Sequence, residues 1–149
     1  MKIKTIMLGG AAFAMSATAA LAEDMTIVSW GGAYTASQQA AYHDPYSAMT
    51  GVNIINDASS GEAVAKLRAM SEAGNITWDV VDVEAGPAMQ LCDEGLAMVI
   101  DPDTMLARAP NDVSAADDFG DMLVSECFIP QIVYSTTFGN RTDLVGSTA

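Results

Sequence analysis

The chain has 149 residues, half of them apolar, and its 19 acidic against 6 basic side chains give a formal net charge of −13. That balance excludes a nucleic-acid backbone as the partner, because phosphates reward the opposite sign. The length allows one domain with a genuine core, and the acidity names no partner, since it also serves solubility.

Lys2 and Lys4 make a basic start, residues 6–20 run almost without polar side chains, and Ala20-Leu21-Ala22 offers the small residues a signal peptidase accepts. The pattern predicts a cleaved signal peptide over residues 1–22 and a periplasmic protein beyond it. The alternative is a membrane-spanning helix, but the run is shorter than the ~20 residues a span needs, and Gly9, Gly10 and alanines dominate it. No cysteine follows the expected cleavage site, so nothing signals a lipid anchor. From Glu23 onward the chain keeps all 19 acidic side chains and loses Lys2 and Lys4, which moves the formal charge from −13 to −15.

Residues 26–30 predict a short β-branched strand ended by Gly31-Gly32. Residues 35–49 predict a helix that Pro45 breaks or kinks near Asp44, and Gly51 is its stop. A second strand is expected over 52–56, then a polar turn over 57–61. Ser60 or Gly61 caps an amphipathic helix through Ala73, with Val64, Leu67 and Met70 on one face. Gly74-Asn75 ends it, residues 78–83 form the third strand, and Gly86-Pro87 opens a helix to Glu94 that Gly95 closes. Residues 101–121 read as irregular with one helical turn near 104–108, and the apolar stretch 128–134 reads as a buried strand interrupted at its start by Pro130. This alternation predicts an α/β domain with a mostly parallel sheet flanked by helices.

Enzyme signatures are mostly absent: there is no phosphate-binding loop, nucleophile elbow or dinucleotide fingerprint. His43 is the lone histidine, and beside Asp44 in a helical stretch it is expected on the surface. Asp101-Pro102-Asp103 starts like a calcium loop, but Leu106 and Asp112 stand where that loop needs Gly and a bidentate Glu. Asp117, Asp118 and Asp121 read as a solvated turn and helix start. Neither a metal nor another cofactor is implied. Cys92 and Cys127 read as a disulfide in an exported chain, with two unpaired buried thiols as the alternative.

The stronger signal lies at the strand ends, where open α/β sheets bind ligands. The loops Trp30-Gly31-Gly32-Ala33-Tyr34, Ser59-Ser60-Gly61 and Glu84-Ala85-Gly86 supply aromatic faces, close-approach glycines, hydroxyls and a carboxylate. That is the equipment of a small-molecule cleft. A core Trp30 and merely turning glycines are the alternative. Asp82, within the third strand, reads as a structural carboxylate satisfied by backbone amides.

IVSWGGAY, SQQAAYHDPYSAMTGVNI, SSGEAVAKLRAM, WDVVDVE, LCDEGL and SECFIPQIVYST follow one another over residues 25–138. The series resembles the periplasmic solute-binding proteins of bacterial ABC importers, most nearly the spermidine/putrescine-binding type. That resemblance implies two α/β lobes joined by crossing strands, with ligand closed between them. Residues 23–137 would be the first lobe, 132–136 its crossing strand, and 138–149 the start of a second lobe, so the sequence reads as an N-terminal fragment. The family pairs the cysteines that match Cys92 and Cys127 and contacts ligand at positions matching Trp30, Gly31, Gly32 and Tyr34, and also Glu84 and Ser135. The implied function is capture of polyamines or related amine-containing solutes for a membrane permease, without catalysis. A secreted enzyme with catalytic residues beyond this sequence, or a one-lobe interaction module, is the alternative.

Overall fold

The computed structural model describes residues 24–139, 141 and 143; the expected signal peptide and most of the expected second-lobe start lie outside them. Strand β1 (Asp24–Val28) is the centre of a three-stranded parallel sheet, between β2 (Asn53–Asp57) and β3 (Val80–Val81). The β1–β2 register runs from Asp24 opposite Asn53 to Val28 opposite Asp57, and Ser29 N–H extends it to the Asp57 carbonyl at 2.7 Å. Helices connect the strands, as parallel pairing requires. The fold is therefore α/β, with a small parallel sheet flanked by helices.

The first connection holds the least expected feature. Helix α1 (Gly32–Gln38) runs through a π-helical turn (Gln39–His43) into α2 (Asp44–Thr50) without leaving helical geometry. Asp44 N–H bonds the carbonyl of Gln39, five residues back, and Pro45 follows in the first turn of α2. Proline has no N–H and its ring crowds the carbonyl four residues earlier. The wider π turn gives that ring room, so the expected break near Asp44 becomes a local widening instead. Gly51, left-handed at φ 79°, then ends α2 as the sequence predicts.

Residues Ser60–Glu62 form a 3₁₀ turn that leads into α3 (Ala63–Glu72), and α4 (Ala85–Asp93) packs beside it. Ala63 and Leu67 of α3 and Leu91 of α4 close over Val28 and Trp78, with Val64, Met70 and Val81 packed around them. That places the core on one side of β1. Trp78 is the buried tryptophan, and Lys66 lies over its ring at 5.6 Å from the centroid. Arg68 of α3 grips Glu94 with two hydrogen bonds, one of them 2.7 Å from Nε to Oε2. This bonding holds the carboxyl of Glu94 below its usual range and raises the Arg68 guanidinium.

Strand 3 is shorter than the expected 78–83. The Asp79 carboxylate takes the Thr26 N–H at 2.8 Å, in place of a main-chain acceptor, so regular pairing is confined to Val80–Val81. Two short helices follow, α5 (Pro102–Met105) and α6 (Ala115–Phe119), capped by Asp101 and Ser114 respectively. Asp101 is thus a helix cap. It accepts from Asp103 N–H at 3.1 Å and Thr104 Oγ1 at 2.8 Å, bonds that lower its pKa.

Cys92 and Cys127 form the expected disulfide, tying α4 to the chain after α6. The expected strand over 128–134 and crossing strand over 132–136 do not form. Backbone in a strand needs a neighbour to take its N–H and C=O groups, and this stretch pairs with no strand among the described residues. Its apolar side chains are correspondingly open, Val133 at 83 % and Phe138 at 97 % exposure.

Candidate functional site

A cleft of ≈1210 Å³ opens along β1 and β3 and across the carboxyl ends of those strands. Trp30, Tyr34, Asp82, Glu84 and Tyr134 stand on its lining. Trp30 follows β1 and is 47 % exposed, so it belongs to the cleft wall and leaves the core to Trp78.

Gly31 explains how that loop is held. Its φ of 78° and ψ of −172° lie in a region open essentially to glycine alone. A Cβ there would stand 3.1 Å from the Ala58 Cβ of the neighbouring loop. The Gly31 N–H meets Thr35 Oγ1 at 2.8 Å, fixing the start of α1 and hence the direction of Tyr34. Gly32 also takes a positive φ, 57°, but has open space around it. Neither glycine lines the cleft; both shape the turn that places Trp30 and Tyr34 there.

Tyr34 and Gln38 are one helical turn apart on α1 and face the same carboxylate. Tyr34 O–H donates to Asp82 Oδ2 at 2.8 Å, and Gln38 Nε2 donates to the same oxygen at 2.8 Å. Gln38 Nε2 also reaches Gln131 Oε1 at 3.0 Å, and the Ser29 hydroxyl donates to Gln38 Oε1. Ser29 and Gln38 are both buried. Asp82 is thus held by side chains from α1, which corrects the expectation that backbone amides satisfy it. Burial first, then the hydrogen bond and negative charge of Asp82, push the Tyr34 phenol well above its ordinary pKa. The phenol stays a donor throughout the physiological range.

Glu84 caps α4 through its backbone, and its side chain accepts from Tyr134 O–H at 2.5 Å. That bond and the Glu84 charge raise the Tyr134 phenol. Ser135 is exposed and outside the cleft lining, and the neighbouring Tyr134 lines it instead. His43, expected on the surface, is 5 % exposed and stands on the cleft lining, its Nδ1 without a partner among the described residues. The π turn carries it there by shifting the helical phase after Gln38. Among the described residues no group of His, Cys, Asp and Glu could hold a metal ion.

Sequence reasoning brought Trp30, Tyr34 and Glu84 to this wall and missed Gln38, Gln131 and Tyr134. The spacing of Tyr34 and Gln38, four apart on one helix, was the available signal for Gln38.

The amino-acid sequence matches the family described as bacterial extracellular solute-binding protein over residues 41–148, most of the chain. The chain belongs to that family. Its members are solute-binding proteins and not enzymes, which counts against the secreted-enzyme alternative. One relative of this solute-binding chain is the gamma-aminobutyric acid-binding protein of Pseudomonas aeruginosa, 40 % identical over 93 residues. Those residues are 62 % of this chain and 26 % of the relative, so the chain spans about a quarter of that curated protein. The solved Atu4243-GABA receptor is 35 % identical with a TM-score of 0.50, covering 62 % of this chain and 29 % of the receptor. The PBP AgtB from A. tumefacien R10, solved with agropinic acid, is 38 % identical with a TM-score of 0.49 over 53 % of this chain and 24 % of its own. None of the three is named for a polyamine.

Proposed function

We propose that this chain is the first lobe of a periplasmic substrate-binding protein that captures a small solute with a protonated amine for an ABC importer. The observation that carries the reading is the charge of the cleft. Asp79, Asp82 and Glu84 stand on its lining, and no lysine or arginine among the described residues joins them. Each carboxylate keeps lone pairs beyond those its protein donors use. An ammonium group is the natural partner of such a wall, and Trp30 adds a face for it or for its methylenes, where a desolvated cation–π contact contributes ~1–2 kcal/mol. The first-strand loop with Gly31 and Gly32, Glu84, and Ser135 next to Tyr134 are the proposed ligand-contacting region.

The sequence resemblance favours polyamines such as spermidine and putrescine, whereas the relatives are named for gamma-aminobutyric acid. The primary ammonium is common to both. Capture would proceed by closure of two lobes on the solute, followed by docking to the membrane permease. The signal peptide over 1–22 delivers the protein to the periplasm in this reading.

Thermal unfolding of the natural full-length protein against polyamines, amino acids and opines tests it. A solute that binds only the folded state, at a hundred times its dissociation constant, adds ~2.7 kcal/mol of stability and raises the midpoint. Butyrate, which lacks the amine, is expected to leave the midpoint unchanged. An equal rise with butyrate and with its amino derivative would sink the amine reading.

A further inference from the structure

A carboxylate only accepts hydrogen bonds, so each polar group within reach of Asp82 must turn a donor to it. That one charge orders the side chains around it. The Gln38 amide presents its nitrogen to Asp82 Oδ2 at 2.8 Å, which leaves its carbonyl oxygen to face elsewhere. Ser29 meets that oxygen, and its hydroxyl donates to it. The second Gln38 N–H reaches Gln131, which has to offer its amide oxygen, at 3.0 Å. The Gln131 amide nitrogen is thereby turned away from Gln38, and it donates to no group among the described residues.

Burial separates the groups that can meet a solute from those that cannot. Ser29 is fully buried and Gln38 is 4 % exposed, and both N–H groups and the oxygen of the Gln38 amide are engaged within the chain. Asp82 differs. Its Oδ2 takes two donors, Tyr34 O–H and Gln38 Nε2, and its Oδ1 takes none among the described residues. The buried side-chain atoms left without a partner there are His43 Nδ1 and Ser60 Oγ. Asp82 Oδ1 is not one of them, so this unpaired oxygen is accessible, in a residue that lines the cleft. The carboxylate is therefore saturated on one oxygen and bare on the other.

We infer that Gln38 is a positioning residue: held by Ser29, it fixes Asp82 so that Oδ1 meets the solute's ammonium group, and fixes Gln131 with its amide nitrogen free for the solute. This rests on the amine reading of the cleft and names the oxygen that takes the amine and the buried groups that aim it. Without Gln38 the Asp82 carboxylate keeps Tyr34 as its one donor and turns more freely. Affinity then falls although no solute contact has been removed, because the solute must order the carboxylate that receives it.

Calorimetric titration of the natural full-length protein with 1,4-diaminobutane and 4-aminobutyrate tests it, the probe that the wild type binds more tightly being carried into the variants. Asp82→Asn and Gln38→Met, the second without a donor, each weaken binding about tenfold, and Ser29→Ala, which frees the Gln38 amide to turn, about threefold. Gln38→Glu supplies a readout that a packing role would not move. Its new carboxyl donates to Asp82 only while protonated, and burial beside a like charge raises its pKa. Affinity relative to wild type is therefore within about threefold near pH 5 and falls to about a tenth or less toward pH 8. Asp79, Glu84 and His43 line the cleft in both proteins, so their titration cancels in that ratio. If Gln38→Met does not fold, Ser29→Ala and Gln38→Glu carry the test. A pH-independent ratio in Gln38→Glu, or wild-type affinity in Ser29→Ala, overturns the positioning role and leaves the amine reading standing. A silent Asp82→Asn also overturns it, and Glu84→Gln then decides the amine reading. A wild type that binds neither probe overturns both.

Discussion

Tyr34 shows how one side chain links the fold to the cleft. Its hydroxyl donates to Asp82 across 48 residues of sequence, and burial together with that carboxylate keeps the phenol protonated. Tyr34→Phe removes one donor to Asp82 and is expected to lower stability by about 1 kcal/mol at neutral pH in denaturant unfolding. The pH dependence has a definite sign. A pKa raised in the folded state gives stability that is complete below the unfolded phenol value of ~10 and is lost as pH climbs toward the folded value. The gap between wild type and Tyr34→Phe should therefore narrow above about pH 10, and a gap that widens there would count against the Asp82 pairing. Tyr34 was legible in sequence because it follows a strand–glycine turn. Gln38 offered only its helical spacing from Tyr34, since a glutamine within a helix reads as surface until Ser29 and Asp82 are brought to it. Ser29 and Asp82 reach it only when β1 and β3 pair.

Elements were read best where a local signal sets them. The positive φ of Gly51, Gly74 and Gly95 stops the chain where the sequence says it must, and α3 buries the Leu67 face that the spacing predicts. The π turn was illegible because a proline in a helical stretch announces a break, whereas the chain here widens by one residue and stays helical through Pro45. Strand 3 was overestimated because β-branched residues announce a strand, whereas its length depends on how Asp79 meets Thr26. The turn between β1 and α1 gives the sharpest prediction at this scale. Gly31→Ala places a Cβ against Ala58 in a backbone region that costs of order 1–3 kcal/mol, with no alternative conformation open while Thr35 holds the Gly31 N–H. Gly32→Ala meets no such contact and should cost less. Comparing their thermal midpoints checks this, and an equal loss would mean that the close approach to Ala58 contributes nothing.

Across the whole molecule, the chain after α4 is held by few regular elements. Helices α5 and α6 are one to two turns long, and residues 128–138 pair with no strand among those described. Secondary-structure bonds alone therefore anchor this half weakly to the sheet. The disulfide between Cys92 and Cys127 does what they do not, fastening the chain before the Tyr134 wall directly to α4 beside the core. Two further contacts follow the same route: Ile100 N–H to the Glu126 carbonyl at 2.7 Å, and Gln131 Oε1 to Gln38 Nε2 at 3.0 Å. Closing a loop of 35 residues restricts the unfolded chain by about 3–4 kcal/mol in the chain-entropy account. Reduction, or the double substitution Cys92→Ala and Cys127→Ala, should lower unfolding free energy by about that much. It should also raise hydrogen exchange first in residues 95–134, with the core of β1, α3 and α4 protected longest. Because Gln131 and Tyr134 lie in the loosened half, solute affinity should fall along with stability, even though neither cysteine donates to the solute. Uniform exchange across the chain after reduction would instead mean that the sheet and this half unfold as one unit, with the disulfide stabilising both equally.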